Sequence, residues 1–283
     1  MLDQAPAVPR AEQPAPAPPL ALRPRQLSVT EIETFLRDPY SIFARHVLRL
    51  LPLDPLDAPP GGAERGTALH DALGKFGQAF PQDMPPDALE RLLDFGRAAF
   101  APLRVFPAEH AVWWARFERV AGWVVAFERE RRAGLTRVIA ESGGRLDMAL
   151  TKGSFRLIDY KTGTAPSTRQ GRAFSPQLPL EAAMAARGAF SQVPAGDVAD
   201  FFYVELKGGA EPGQVKEGVQ KGTDAAAMAE EALARLKELL IAFEDEAQGY
   251  RSLSAPQWRG RFGDYDHLAR VREWALGAEE DAT

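Results

Sequence analysis

The sequence contains no cysteine among its 283 residues. This absence excludes disulfides, cysteine-ligated zinc and iron–sulfur clusters, and it is consistent with a reducing cytoplasm, where we expect the protein to act. No apolar run is long enough to span a bilayer, so we expect no membrane association. Positive charge is not in excess either, because the formal net charge is −5. A protein that merely coats DNA is therefore disfavoured, although an acidic protein can still carry a locally basic groove.

The start of the chain is rich in proline and alanine, as in the run P-A-P-A-P-P-L-A-L-R-P. Such a composition cannot bury a core, and it predicts a disordered, extended linker over residues 1–26. A linker in this place predicts that another part of the protein precedes it. The remaining residues, 27–283, are enough for one large domain with a sizeable core.

Helical periodicity prevails at first, and short β-rich segments follow in the second half of the chain. We predict helices over residues 29–37, 39–50, from about 64, 109–132, 176–187 and 224–248, and strands over residues 136–141, 145–150, 155–160 and 200–207. This order of elements predicts an α/β core with helical additions.

Carboxylates and a lysine gather at the ends of two predicted strands. Asp159 and Lys161 are two residues apart in I-D-Y-K-T-G, so they project from the same face of their strand. If the preceding strand pairs with this one, Asp147 lies close to both. Buried carboxylates repel each other, and a hard cation such as Mg²⁺ would relieve that repulsion. A solvated hairpin is the simpler explanation of an isolated D-x-K, but the apolar residues before it and the Thr-Gly after it favour a site.

These motifs resemble a known family. G-R-L-D followed by I-D-Y-K-T-G resembles the core of PD-(D/E)XK nucleases of the RecB type. R-G-T-A-L-H is similar to the helix with that family's metal-binding histidine, and S-P-Q-L-P-L-E to its Q-x-x-x-Y helix, with Glu181 in the tyrosine position. With the flanking S-V-T-E-I-E-T-F-L-R-D-P-Y and G-D-Y-D-H-L-A-R-V-R-E-W, the chain resembles the C-terminal nuclease domain of AddB, from AddAB helicase–nucleases of the alphaproteobacterial kind.

The resemblance implies a restriction-endonuclease-like core, a small mixed sheet flanked by helices. It implies that Mg²⁺, for which Mn²⁺ can substitute, is bound by His70, Asp147, Asp159 and the carbonyl oxygen of Tyr160. Lys161 would position or activate the attacking water, and Gln177 would orient the site near DNA. Further candidate DNA contacts are Arg145, Arg169 and Arg172.

The activity implied is hydrolysis of DNA phosphodiester bonds by an exonuclease of single-stranded DNA. It would serve double-strand break repair beside an AddA-type helicase partner. A free-standing RecB-family exonuclease and a scaffold that binds DNA or a helicase without cutting are the alternatives. The intact set of Asp147, Asp159 and Lys161 argues against the scaffold, because a silent site has little physical reason to retain repelling carboxylates.

Many AddB relatives hold this domain together with four cysteines and a 4Fe-4S cluster. In this chain Asp38 stands near the place of the first cysteine, and residues 264–271 replace the C-terminal cysteine group. We therefore expect the two ends of the domain to be joined by packing and hydrogen bonds, with no iron–sulfur cluster.

Other residues have simpler structural explanations. Without a companion motif, the remaining histidines are expected to be structural: His46, His110 and His267. Glu141 is expected to be an exposed strand carboxylate. The tryptophans of the 109–132 helix have amphipathic spacing, which favours core or interface packing over base stacking: Trp113, Trp114 and Trp123.

Overall fold

The computed structural model describes residues 11–53, 59–140, 147–151, 154–190, 193–254 and 263–275, and for residues 147–151 and Arg172 it describes the backbone alone. The chain divides into two compact units. One unit is Pro55–Leu233, and the other contains the described residues of Met1–Asp54 and Ala234–Thr283. The second unit thus combines segments from both ends of the chain, and residues 11–26 belong to it.

The continuous unit has a five-stranded sheet in the order β1-β2-β3-β4-β5. Its strands are β1 (Arg137–Ala140), β2 (Asp147–Thr151), β3 (Ser154–Lys161), β4 (Asp197–Leu206) and β5 (Gly213–Glu217). Only β3 and β4 pair in parallel, and the other neighbours are antiparallel. A parallel pair needs a long crossover, which here includes two helices.

Those helices are α6 (Thr168–Ala173) and α7 (Gln177–Ala186), and three others precede the sheet: α3 (Gly62–Ala79), α4 (Ala88–Ala99) and α5 (Pro107–Arg132). Because α7 connects β3 to β4, it begins near the carboxyl end of β3 and ends near the amino end of β4. The predicted α/β class, with a small mixed sheet flanked by helices, is confirmed.

The two faces of the sheet have separate hydrophobic cores, because successive side chains of a strand point to opposite faces. Ile158 and Tyr160 of β3 pack with α3, α4 and α5. Leu157 packs on the other face with α7 and with the beginning of α8 (Ala225–Ala242). The tryptophans of α5 are partly buried against the first core, which confirms their structural assignment: Trp113, Trp114 and Trp123.

The structure adds elements that the sequence patterns did not indicate: α4, α6, β5 and a short α9 (Val271–Ala275). In α4, a Cβ on Gly96 would come 2.1 Å from the ring of Phe117, so only glycine permits this packing. The residues of β5 are mostly polar and exposed, since it is an edge strand. Without an apolar alternation, β5 is not recognisable from local sequence.

The second unit begins with α1 (Val29–Arg37), and its predicted capping box between Ser28 and Glu31 is present. The helix predicted over residues 39–50 is shorter, consisting of α2 (Pro39–Ile42) and a π-helical turn at Phe43–Val47. Likewise, α8 ends at Ala242 rather than near residue 248. Within the described ranges, no helix combines the length and the apolar character needed to cross a membrane.

Residues 11–26 differ from the disordered linker that their composition predicts, while residues 1–10 lie outside the described part. The buried Arg23 side chain donates hydrogen bonds to the backbone carbonyls of Phe243, Asp245 and Glu246. The amide of Tyr250 donates to the carbonyl of Pro16 over 2.8 Å. A proline-rich segment does not form a helix, so its backbone carbonyls have no helical partners. Here the carbonyl of Pro16 accepts a hydrogen bond from the C-terminal part of the unit.

The two ends of this unit are joined around Asp38 and Tyr265. Asp38 Oδ1 accepts a hydrogen bond from the amide of Leu253 at 2.9 Å, and the Tyr265 hydroxyl donates to the carbonyl of Leu50 at 2.6 Å. A buried cluster lies between them, with Tyr40, Ala44, Leu253, Tyr265, Ala269 and Val271 as members. Packing and hydrogen bonds thus join the two ends of this unit.

Candidate active site

Asp159 and Lys161 lie at the carboxyl end of β3, on the sheet face that packs against α7. The Asp159 side chain is completely buried, with an exposed fraction of 0%, whereas 23% of the Lys161 side chain is exposed. Lys161 Nζ lies 2.5 Å from Asp159 Oδ2. The two-residue spacing of a strand therefore brings the buried carboxylate and the partly exposed ammonium together, as the sequence pattern indicates.

Gln177, the first residue of α7, holds Lys161 from the side of the helix. Lys161 Nζ donates to Gln177 Oε1 at 3.0 Å, and Gln177 Nε2 donates to Glu181 Oε1 at 3.2 Å. Gln177 and Glu181 are one helical turn apart and both are buried. The glutamate in the tyrosine position thus accepts from the amide nitrogen, which leaves the amide oxygen facing the lysine.

Asp147 is the first residue of β2, and the antiparallel register pairs it with Ile158, the residue before Asp159. The backbone of Asp147 is therefore a neighbour of the D-Y-K segment. Its side chain lies outside the described part, so the proximity of the two carboxylates stays a prediction.

His70 lies on α3, which crosses the sheet near the ends of two strands. A Cβ on Gly66 would lie 3.2 Å from Thr162 Oγ1, just beyond β3, and one on Gly77 would lie 2.8 Å from Cβ of Ala140, at the end of β1. Half-buried His70 lies between these two contact points. Because Ala140 pairs with the first residue of β2, this part of α3 passes beside the strand ends that carry both aspartates.

The donors available near these strand ends are carboxylate oxygens, a backbone carbonyl and an imidazole. Hard oxygen donors of this kind fit Mg²⁺ or Mn²⁺ better than softer metals. Among the side chains that the structure describes, no three histidine, aspartate or glutamate residues group into a metal site. A complete site would therefore need the carboxylate of Asp147 as well.

Two of the three arginines predicted to contact DNA, Arg169 and Arg172, lie on α6. This short helix begins with a capping box formed by Ser167 and Gln170. Arg169 is exposed on it, and Arg172 follows one turn later with only its backbone described. Arg145 lies outside the described residues. Their contact with DNA stays a prediction.

Tyr203 and Glu205 on β4 also adjoin the site and were not predicted from the sequence. The parallel register places them beside Asp159 and Lys161 respectively. Lys161 Nζ is 5.8 Å from the centroid of the Tyr203 ring. The buried Glu205 accepts from the amide of Ala165 at 2.8 Å and pairs with Lys207 at 2.7 Å. The signal that could have revealed it is V-E-L-K, a second acid-x-lysine pattern at the end of a strand.

The pKa of Glu205 reflects these contacts. Burial raises it, but the hydrogen bonds from Lys207 and from the Ala165 amide, together with the charges of Lys207 and Lys216, outweigh burial and bring the pKa below its ordinary value. Glu205 is therefore ionised at neutral pH. It ties the segment that follows the D-Y-K motif to the neighbouring strand.

Tyr160, between the two site residues, is held from the opposite face of the sheet. Its hydroxyl donates to Glu128 Oε1 at 3.0 Å. Burial raises the pKa of Glu128, but the paired guanidiniums of Arg131 and Arg132 lower it further, so the pKa lies below its ordinary value. A buried carboxylate with two arginine partners thus anchors the middle residue of D-Y-K, a contact that no local sequence pattern indicates.

Comparison with known proteins gives a family. A model of the PD-(D/E)XK nuclease superfamily matches residues 26–255. Similar proteins include uncharacterized proteins of Rickettsia bellii (strain RML369-C), 25% identical over 186 residues, and of Rickettsia conorii (strain ATCC VR-613 / Malish 7), 24% identical over 191 residues. These alignments cover 59% and 60% of this chain but only 22% and 23% of the two relatives. The chain therefore spans less than a quarter of the length of these curated relatives.

Proposed function

Because this chain belongs to the PD-(D/E)XK nuclease superfamily, we propose that it is a metal-dependent nuclease that hydrolyses DNA phosphodiester bonds at Asp159 and Lys161. The observation that carries this proposal is the buried contact of Asp159, Lys161 and Gln177 at the carboxyl end of β3. Burying a carboxylate and positioning a lysine beside it costs free energy, and catalysis is a reason to retain such a group.

Mg²⁺ or Mn²⁺ would be held by Asp159, by the carbonyl of Tyr160, and by His70 and Asp147. When bound, such a cation polarises the phosphate and neutralises the charge that develops during hydrolysis. This role gives a reason for a buried carboxyl group next to a lysine.

Lys161 is the residue that reaches the reacting groups. Its ammonium has three N–H donors. The ion pair with Asp159 and the hydrogen bond to Gln177 fix the direction of the group. A further N–H can donate to the attacking water or a phosphate oxygen, and the partly exposed side chain lets such a group approach. Glu181 supports this arrangement by orienting the amide of Gln177.

We further propose that the substrate is single-stranded DNA, degraded from an end, within an AddAB-type helicase–nuclease that processes double-strand breaks. The flanking motifs around residues 28–40 and 263–274 support this assignment over a free-standing RecB-family exonuclease. An AddA-type helicase subunit would be the partner. Co-purification with such a subunit would support the assignment, and a chain that stays alone and degrades DNA fully would contradict it.

The test of the nuclease itself is degradation of end-labelled linear single-stranded DNA with Mg²⁺, with Mn²⁺ and with EDTA. The wild type should degrade DNA only with a cation, and Asp159→Asn should not. The matched control is Asp197→Asn, an exposed aspartate at the amino end of β4, which should cut like the wild type. Circular single-stranded DNA should survive, because an exonuclease needs an end. No cleavage by the wild type, even with an AddA-type subunit, would overturn the proposal.

A further inference from the structure

Arginines from two helices approach the chain where it leaves β3 and β4. Beyond β3, Arg65 of α3 donates from Nη2 to the carbonyl of Thr162 at 3.2 Å. Beyond β4, Arg119 of α5 donates from Nε to the carbonyl of Gly208 at 2.8 Å. Since Lys161 and Glu205 are register partners, these two exits lie side by side.

The segment that follows β4 packs closely against α5. Gly208 has a φ of 65°, and a Cβ there would lie 2.7 Å from the carbonyl oxygen of Arg116. Only glycine permits both this conformation and this approach. Arg116 and Arg119 are three residues apart and therefore lie on the same side of α5. Glu118 is directed elsewhere, because it accepts from the indole of Trp114.

Among the residues that the structure describes, neither Arg65 nor Arg116 forms an ion pair with a carboxylate. Partial burial, and then the charge of Arg116, lower the pKa of Arg65 from its ordinary value. Lys207 is different, because its ammonium is engaged by Glu205. Like charges held near each other without a counter-ion favour an anionic ligand.

We propose that Arg65, Arg116 and Arg119 form an arginine strip that binds the phosphates of one DNA strand and leads it to Lys161. This inference rests on the proposed function and names how the substrate is held. The strip consists of guanidinium groups, which bind phosphate oxygens through charge-assisted, often bidentate hydrogen bonds. The strip therefore contacts the backbone of DNA rather than its bases, and its affinity is independent of sequence and strongly dependent on salt.

The experiment measures binding separately from cleavage. Binding of a fluorescein-labelled oligodeoxythymidylate to the full chain is followed by anisotropy in EDTA, over a series of NaCl concentrations. Arg116→Gln/Arg119→Gln should weaken binding at least about tenfold, and the salt slope should become less steep by about 0.7 for each arginine removed. Adding Arg65→Gln to this variant should weaken binding further and make the salt slope still less steep. Arg65 is half-buried, so the decisive comparison uses the variant that changes only the exposed Arg116 and Arg119.

Arg187→Gln is the matched control. Arg187 is a surface arginine just after α7, near the amino end of β4, and it pairs with Glu230. This variant should bind within about twofold of the wild type, with the same salt slope. The proposal is overturned if the wild type does not bind in EDTA, or if the Arg116/Arg119 pair variant binds like the control.

Cleavage distinguishes this proposal from the nuclease proposal. With Mg²⁺, the Arg116→Gln/Arg119→Gln variant should have a higher KM for single-stranded DNA than the wild type. Its kcat should stay near that of the wild type, because the strip positions DNA and takes no part in hydrolysis. Salt-dependent binding that is lost in the variant, without cleavage by any version, would support the strip and overturn the nuclease. Cleavage with unchanged KM in the variant would support the nuclease and overturn the strip.

Discussion

The neighbouring strands β3 and β4 end in the same pattern, an acid, an apolar or aromatic residue and a lysine. In both, the acid is buried and pairs with the lysine two residues later: Asp159 with Lys161 at 2.5 Å, and Glu205 with Lys207 at 2.7 Å. Both pairs lie on the sheet face that packs against α7. By local sequence alone, the two strand ends are equivalent candidates for a site.

Their surroundings differ. Lys161 is 23% exposed and donates to Gln177 of α7, whereas Lys207 is 49% exposed. Glu205 accepts from Lys207 and from the amide of Ala165, so its two oxygens have structural partners. An acid-x-lysine pair thus becomes a candidate site where a helix fixes the lysine. Where the carboxylate closes a loop instead, the pair serves structure.

The sharpest contrast should come from removing each lysine. Lys161→Met should lower the single-turnover rate of DNA cleavage by about a hundredfold or more, because a positioned donor at the reacting group is lost. Lys207→Met should change the rate by less than about threefold, since a half-exposed ion pair contributes about 0–1 kcal/mol. Equal losses in both variants, with intact circular dichroism spectra, would abolish the distinction between the two strand ends.

Mg²⁺ binding should also distinguish Asp159 from Glu205, because only Asp159 is a proposed ligand. At a Mg²⁺ concentration about 100 times its Kd, a protein that binds only when folded gains about 2.7 kcal/mol of unfolding free energy. The wild type and Glu205→Gln should show this gain in urea titrations with and without Mg²⁺. Asp159→Asn should not, because it lacks the ligand. If Asp159→Asn gains as much as the wild type, Asp159 is not a ligand.

The acid of β4 should matter for stability. Glu205→Gln should lower the unfolding free energy at pH 7 by about 2 kcal/mol, since hydrogen bonds to charged groups contribute about 1.5–3 kcal/mol. Because folding lowers the pKa of Glu205, its contribution is present at neutral pH and is lost as the pH falls below about 4.3, through the depressed value. Urea titrations between pH 7 and pH 3 should therefore show a shallower decline for Glu205→Gln. Parallel curves would contradict this role.

The smallest effect concerns the residues between the acid and the lysine at the two strand ends, Tyr160 and Leu206. Both side chains pack into the same core. Of the two, only Tyr160 carries a hydroxyl, which it donates to Glu128. Tyr160→Phe should cost about 1–1.5 kcal/mol of unfolding free energy and leave cleavage almost unchanged. In a Glu128→Gln background the cost should shrink, which a double-mutant cycle measures. An undiminished cost would show that the hydroxyl acts through another group.

The sequence by itself determined which residues are the candidates for the site. The order of helices and strands predicts the α/β class, and the resemblance to the Q-x-x-x-Y motif indicates Gln177. Strand periodicity places Asp159 and Lys161 on one face, which the structure confirms because it depends only on spacing within one segment. The capping box at Ser28 was predictable for the same reason.

Only the tertiary structure decided which further residues surround that site. Glu205 lies beside Lys161 through a parallel pairing that needs the whole α6–α7 crossover, and the arginine strip forms because α3 and α5 pack beside two strand exits. The ordered path of residues 11–26 likewise depends on carbonyl acceptors used by a segment more than 200 residues away. Such contacts arise between segments distant in sequence, and no local pattern encodes them.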